Sequence, residues 1–204
     1  LKTKNDLKKA ILNTKNLGFV PTMGSLHEGH ISLIKKSKKN SEKTLVSIYI
    51  NPTQFNKKKD FKSYPRNIND DIIILKKMKV DFLFIPNSKE IYNNKFKVNF
   101  NLPRFERIMC ANHRKGHFEG VLEVMDRLLN IVKPNNLFLG QKDYQQQYLI
   151  NKYLKKKHKF RLFVCKTIRN KYLALSSRNL NLSKELLSKA NYIAKELFKI
   201  KKKY

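Results

Sequence analysis

Five short apolar runs, at residues 17–20, 44–50, 80–86, 136–140 and 160–165, constrain the fold of this chain most strongly. Apolar residues follow one another within them, without the polar alternation of a strand that has one face in solvent. This pattern is typical of parallel strands buried on both sides. Between the runs, helical spacing predicts helices at 7–13, 28–39, 66–79, 119–132, 141–153 and 183–199. The alternation predicts an α/β fold.

The expected architecture is a Rossmann-like parallel sheet with helices on both faces. Such sheets bind ligands at the carboxyl ends of their strands, where the strand order reverses. A loop is predicted at 51–64 and a polar, turn-rich stretch at 87–103. Ser183 is a suitable N-cap for the last helix, which carries an apolar side.

Lysine and arginine total 45 against 15 acidic residues, for a net charge of +30 over 204 residues. This charge attracts polyanions. The lysines are spread along the chain rather than gathered in one stripe, so we expect no specific nucleic-acid partner.

No apolar run approaches the roughly 20 residues that cross a bilayer, and the first residues lack a signal-peptide pattern. These features predict a soluble, cytoplasmic protein. Cys110 and Cys165 lie far apart without a zinc-type spacing and are predicted to be buried free thiols.

The stretch "GFVPTMGSLHEGHISLIKK", residues 18–36, joins the first strand to a helix. It has the glycine spacing of a phosphate-binding loop, but His30 and Ile31 replace the required lysine and hydroxyl residue. His27 and His30 fall on the first helical turn, where partial positive charge and unpaired N–H groups attract phosphate. Their rings could stabilise charge at phosphorus. A zinc pair or two surface histidines are the alternatives, and zinc lacks further ligands in recognisable spacing.

The segment "PTMGSLHEGH" resembles the signature of the pantoate–β-alanine ligases, which belong to a wider superfamily of nucleotidyltransferases. Four further segments resemble this family in order and spacing: "SIYINPTQFN", "YPRNINDD", "HFEGV" with "NIVKPNNLFLGQKDYQQ", and "LALSSRN". The resemblance covers about residues 17–179. It implies condensation of pantoate with β-alanine at the expense of ATP, through a pantoyl adenylate, with release of pyrophosphate and AMP.

The resemblance also implies residue roles. His30 is the catalytic candidate, and His27 contacts the same phosphates. Gln54 matches the family's glutamine at the pantoate and β-alanine site, and Gln146 matches its second pantoate-binding glutamine. Asn51 follows the same strand end as Gln54, and a neutral amide there can also hold pantoate, although "NPTQ" could also be only a turn. The ATP-binding set is Met23, Gly24, Ser25, Leu26, His27, Glu28, Gly29, His30, Gly140, Gln141, Lys142, Asp143, Ile168, Leu175, Ser176, Ser177 and Arg178.

This chain departs from the family pattern at two places. Gln141 stands where the family usually has glutamate. The link between Ile168 and the serines is short and lacks glycine, which predicts a reshaped hairpin.

Two further charged pairs have open alternatives. Asp70 and Asp71 could hold Mg²⁺ or complement a helix N-terminus. Arg114 and Lys115 could hold pyrophosphate or belong to the general lysine excess.

The expected domains are an ATP- and pantoate-binding domain over residues 1–175 and the remnant of a lid domain over 176–204, because family members continue further beyond "SSRN". The resemblance implies a homodimer and ATP with Mg²⁺. The alternatives are a basic nucleic-acid-binding protein or a non-catalytic partner protein on the same nucleotide-binding fold.

Overall fold

The computed structural model describes residues 1–92 and 100–201. In that part of the chain, one parallel sheet contains five strands in the order β3-β2-β1-β4-β5. The strands are β1 (Leu17–Thr22), β2 (Lys43–Ile48), β3 (Phe82–Phe84), β4 (Asn136–Gly140) and β5 (Arg161–Cys165). The predicted Rossmann-like sheet is confirmed. The order reverses between β1 and β4, so their carboxyl ends diverge into a crevice.

Helices connect and flank the strands in the described residues. They are α1 (Lys4–Ile11), α2 (Glu28–Asn40), α3 (Lys58–Ser63), α4 (Ile68–Lys77), α5 (Ser88–Ile91), α6 (Cys110–His113), α7 (His117–Val132), α8 (Tyr144–His158) and α9 (Lys184–Lys201). Short 3₁₀ turns cover Pro52–Gln54, Arg104–Glu106, Gln141–Asp143 and Ser177–Asn181. A small antiparallel hairpin pairs β6 (Arg169–Asn170) with β7 (Leu173–Ala174).

The core lies on both faces of the sheet because side chains alternate along each strand. Phe19 and Leu45 point to the face covered by α7 and α8. Their neighbours Val20 and Val46 point to the opposite face, with Leu33 and Ile34 of α2. Burying one such large apolar side chain contributes about 1.5–3 kcal/mol. Two buried faces explain why the strands read as continuous apolar runs.

Three local features differ from the sequence prediction. Helix α3 lies inside the predicted 51–64 loop, where "KKDFKS" has no apolar period. Residues 141–143 form a 3₁₀ turn before α8 rather than its first turn. Helix α7 begins at His117 because Gly116 adopts φ +77°, which ends the preceding loop. Part of the predicted turn-rich stretch, residues 93–99, lies outside the described residues.

The last helix forms as predicted, and the Leu186 N–H donates to the Ser183 hydroxyl at 3.2 Å. Its apolar side remains exposed in the structure, including Leu186, Ile193 and Leu197. The burial predicted for Cys110 is wrong, because this residue is exposed at the start of α6. Cys165 is half-buried, and both thiols are free. Among residues 1–92 and 100–201, no helix is long and apolar enough to span a membrane.

Candidate active site

A cleft opens at the carboxyl ends of the sheet strands. Most of the sequence-predicted residues line it: Met23, His27, Gly29, His30, Asn51, Gln54, Gly140, Lys142, Asp143, Gln146, Ile168, Leu175, Ser176, Ser177 and Arg178. Gly24, Ser25, Leu26, Glu28 and Gln141 lie beside the cleft without lining it. Segments that follow β1, β2, β4 and β5 therefore converge, as expected at a switch point.

The two histidines cap the N-terminus of α2. The Gly29 N–H donates to Nδ1 of His27 at 3.1 Å, and the His27 N–H donates to Nδ1 of His30 at 3.2 Å. The ring centroids lie 4.1 Å apart. A Cβ on Gly29 would lie 2.7 Å from Cε1 of His27, so only glycine leaves room for this ring. The imidazoles thus accept hydrogen bonds from backbone N–H groups that the sequence predicts as phosphate donors.

This capping fixes the proton positions on both rings. A backbone N–H can only donate, so each Nδ1 must accept and each neutral ring carries its proton on Nε2. Burial, then the neighbouring His27 and Lys142, lower the pKa of His30 to about 3. Burial and Lys142 also lower the pKa of His27. His27 and His30 are therefore neutral imidazoles whose Nε2–H groups are available as donors in the cleft.

The loop that precedes α2 is held by Asp71 of α4. The Ser25 N–H donates to Oδ2 of Asp71 at 2.8 Å, and the Leu26 N–H donates to Oδ1 at 2.7 Å. Gly24 has φ +78°, and a Cβ there would lie 2.9 Å from the same carboxylate. Asp71 is buried and Asp70 is exposed. The aspartates therefore do not face a common site, and these contacts favour a structural role for Asp71 over a magnesium ligand.

Gln54 ends the 3₁₀ turn after β2, and Asn51 is its N-cap. Asn51 is buried, and its amide nitrogen donates to the Gly120 carbonyl and to Oε1 of Gln54, each at 3.2 Å. Its oxygen accepts from the Tyr92 hydroxyl at 2.7 Å. Because protein groups occupy both ends of the amide, Asn51 supports the cleft wall, whereas Gln54 presents Nε2 beside the Met23 sulfur at 3.1 Å.

The serine–arginine element closes the opposite wall. Ser177 is buried and donates its hydroxyl to the Ser25 carbonyl at 2.9 Å. Ser176 accepts from the Arg178 N–H at 3.3 Å. The Arg178 guanidinium forms two bonds to the Asp60 carboxylate, at 2.9 and 3.0 Å. Its hydrogen bond with Arg178 lowers the pKa of Asp60. The predicted phosphate-binding arginine is thus paired with an acid of α3.

His117, at the start of α7, holds a second arginine. Its Nδ1 lies 2.7 Å from the Gln54 carbonyl, and its Nε2 lies 2.9 Å from Nη1 of Arg114. A carbonyl only accepts and a guanidinium only donates, so the ring is neutral with its proton on Nδ1. Burial and then Arg114 lower the pKa of His117 to about 4, against the opposing effect of the Gln54 hydrogen bond. A neutral partner leaves the charge of Arg114 available to an anion.

The third wall follows β4 and β5. Lys142 lies 3.4 Å from Oδ1 of Asp143, and both side chains are more than one third exposed. An exposed pair of this kind is weak, so Lys142 can exchange its partner for a phosphate. Gln146 lines the cleft from the first turn of α8, and Ile168 lines it beside Thr167.

Comparisons with known proteins place the chain in a family. The family model described as pantoate-beta-alanine ligase matches residues 1–204. The chain belongs to the pantoate–β-alanine ligase family. A pantothenate synthetase from Francisella tularensis subsp. novicida is 44% identical over 199 residues, which cover 95% of this chain and 75% of the relative. A pantothenate synthetase from Pseudothermotoga lettingae is 43% identical, covering 91% of this chain and 68% of the relative.

Solved structures of the family have the same fold. A pantoate-beta-alanine ligase from Francisella tularensis, complexed with beta-gamma ATP and beta-alanine, superposes with a TM-score of 0.91 at 41% identity. It covers 96% of this chain, which spans 77% of that structure. A pantothenate synthetase from Thermus thermophilus gives a TM-score of 0.91 at 33% identity, covering 97% of this chain and 72% of that one.

Sequence reasoning missed part of the family cleft in this chain. The partners Asp60 and His117 were not singled out, because they lie 118 residues from Arg178 and 63 from Gln54. The apolar floor was missed as well, and it comes from Val121, Met125 and Leu128 of α7. Its signal was available, since the apolar residues of "GVLEVMDRLLNIV" form one broad face opposite its four polar residues, and this face contacts both the core on the sheet and the cleft.

Proposed function

We propose that this chain condenses pantoate with β-alanine at the expense of ATP, forming pantothenate through a pantoyl-adenylate intermediate. The proposal rests on the way in which distant segments of the chain meet in the cleft. Segments that resemble the family's ATP and pantoate elements, and that lie over 150 residues apart in sequence, line one cleft at the switch point of the sheet. Family membership supplies the reaction, and the cleft supplies the groups that it needs.

In the first step, a pantoate carboxylate oxygen attacks the α-phosphorus of ATP, and pyrophosphate leaves. Negative charge grows on the phosphoryl oxygens during this step. The Nε2–H groups of His27 and His30 are fixed donors for that charge, and they are effective because their orientation is set before the substrates bind. Lys142 and Arg114 offer positive charge to the departing pyrophosphate.

In the second step, the β-alanine amine attacks the carbonyl carbon of the adenylate, and AMP leaves. The bond between that carbon and the bridging oxygen breaks, and the amine loses a proton. No covalent intermediate with the protein is needed. The chain contributes mainly by positioning the two substrates in turn, with Gln54 and Gln146 on the acid.

We propose that Mg²⁺ binds together with ATP and that the protein does not supply a full set of ligands for it. Both oxygens of Asp71 accept backbone N–H groups, and Asp70 is exposed. No cluster of three or more metal-ligating side chains occurs in residues 1–92 and 100–201. The predicted aspartate pair therefore does not fit the ion, and we assign no step to it.

The remaining expectations stay predictions. These are a homodimer, a cytoplasmic location and a domain boundary between residues 175 and 176. Nothing in the cleft favours the alternative of a nucleic-acid-binding protein or of a non-catalytic partner, since the groups that the reaction needs are present.

The experiment is AMP release from ATP, Mg²⁺ and pantoate, with and without β-alanine. We expect release that depends on β-alanine and that falls by about a hundredfold or more in His30→Ala. His113→Ala is the matched control, because His113 is an exposed histidine of α6 outside the cleft. Absence of β-alanine-dependent release from the unmodified chain would refute the proposal.

A further inference from the structure

A chain of hydrogen bonds runs from Tyr92 through Asn51 to Gln54, beneath the wall of the cleft. We propose that Tyr92 is a positioning residue that, through Asn51, fixes the Gln54 amide so that its NH₂ group faces pantoate as a donor. This inference rests on the proposed function and deepens it, because it assigns a polarity to one substrate contact.

The orientation of Asn51 is determined by groups that have only one hydrogen-bonding role. The Gly120 carbonyl can only accept, and it lies 3.2 Å from Nδ2 of Asn51. The Thr53 N–H can only donate, and it lies 3.4 Å from Oδ1. A flipped Asn51 would set donor against donor and acceptor against acceptor. Because the amide is buried, each unmatched group would cost about 1–3 kcal/mol.

The orientation of Gln54 follows from that of Asn51. The second hydrogen of Asn51 Nδ2 is shared between Oγ1 of Thr53 at 3.0 Å and Oε1 of Gln54 at 3.2 Å. Because a donor faces Oε1, this oxygen accepts and Nε2 is left to donate. The partner of Nε2 in the structure is the Met23 sulfur at 3.1 Å. A thioether is a weak acceptor. A carboxylate or hydroxyl oxygen of pantoate would therefore replace it favourably, whereas an ammonium group, which only donates, would not.

Tyr92 secures the far end of this chain. Its hydroxyl donates to Oδ1 of Asn51 at 2.7 Å and lies 3.1 Å from Oγ1 of Thr53. The Arg127 guanidinium lies 4.7 Å from its ring centroid and covers one face. Burial raises the pKa of Tyr92 to about 12, so the hydroxyl keeps the proton that it donates. Tyr92 is half-buried and does not line the cleft. Its effect on substrate therefore passes through the partners of its hydroxyl, which are Asn51 and the Thr53 hydroxyl that also contacts Asn51.

The test is a double-mutant cycle on pantoate affinity, measured by calorimetry in the presence of a non-hydrolysable ATP analogue. We expect Tyr92→Phe to weaken pantoate binding about threefold to tenfold, the usual loss for one hydrogen bond. The affinity for the ATP analogue should change by less than about twofold. In the Gln54→Ala background, Tyr92→Phe should change pantoate affinity by less than about twofold, because the coupled partner is gone.

Tyr153→Phe is the matched control, because it removes a hydroxyl that donates to Glu106 on another part of the molecule. It should lower thermal stability without changing pantoate affinity. The inference is overturned if Tyr92→Phe leaves pantoate affinity unchanged, weakens ATP binding equally, or has the same effect with and without Gln54. If the unmodified chain binds no pantoate, the proposed function fails and this inference fails with it. If the unmodified chain binds pantoate but Tyr92→Phe has no effect, only this inference fails.

Discussion

At the scale of single residues, three histidine rings have their protons placed by backbone groups. His27 and His30 accept backbone N–H groups at Nδ1, and His117 donates from Nδ1 to a carbonyl. The first pair is therefore left with Nε2 donors, and His117 is left with an Nε2 acceptor for Arg114. One residue type thus supplies two different chemical roles within one cleft.

His117 leads to a prediction on pH. Its pKa is 6.5 in the unfolded chain and about 4 in the fold. Between these values the unfolded state binds a proton that the folded state does not, so the free energy of unfolding falls as the pH drops from 6.5 towards 4 and is unaffected above 6.5. Urea unfolding at about pH 7.5 and about pH 5 should show this loss, and His117→Asn should show a smaller one. An equal loss in both proteins would contradict the assignment.

At the scale of elements, the sequence predicted the strands and helices whose formation depends on a local pattern of apolar residues. The strands were found because two buried faces produce continuous apolar runs, and α2 was placed at Glu28, where it begins. Helix α3 was missed because its turn is stabilised by contacts distant in sequence, such as Asp60 with Arg178 and Ser63 with Asn181. Most of the predicted site residues were recognised by resemblance, but the contact of Asp71 with the Ser25 and Leu26 N–H groups and that of Tyr92 with Asn51 depend on packing that no local pattern contains.

The connection between α4 and the loop before α2 gives a second prediction. Asp71→Asn replaces an acceptor by a donor facing the Ser25 or Leu26 N–H, and should destabilise the protein by about 1.5–3 kcal/mol. ATP affinity should fall as well, because this loop positions the histidines. Thermal denaturation and ATP titration measure both effects. If the aspartates instead form a magnesium site, Asp70→Asn and Asp71→Asn will raise the Mg²⁺ requirement alike, without loss of stability.

At the scale of the whole molecule, the net charge of +30 leads to a prediction on polyanions. Because the lysines are distributed, binding to DNA should be independent of sequence and should weaken about a thousandfold or more between about 50 and 500 mM salt. Fluorescence anisotropy with two unrelated duplexes measures this. Binding that prefers one sequence and persists at high salt would favour the nucleic-acid alternative.

The proposed reaction requires the adenylation of pantoate in this cleft, and the transfer of a pantoate oxygen to AMP reports on that step. One carboxylate oxygen of pantoate attacks phosphorus and stays on AMP when β-alanine displaces it. With pantoate labelled by ¹⁸O in its carboxylate, mass spectrometry should find one labelled oxygen in each AMP formed, and one in pantothenate. AMP without label, formed at the rate of pantothenate, would contradict the adenylate route and the role of the cleft.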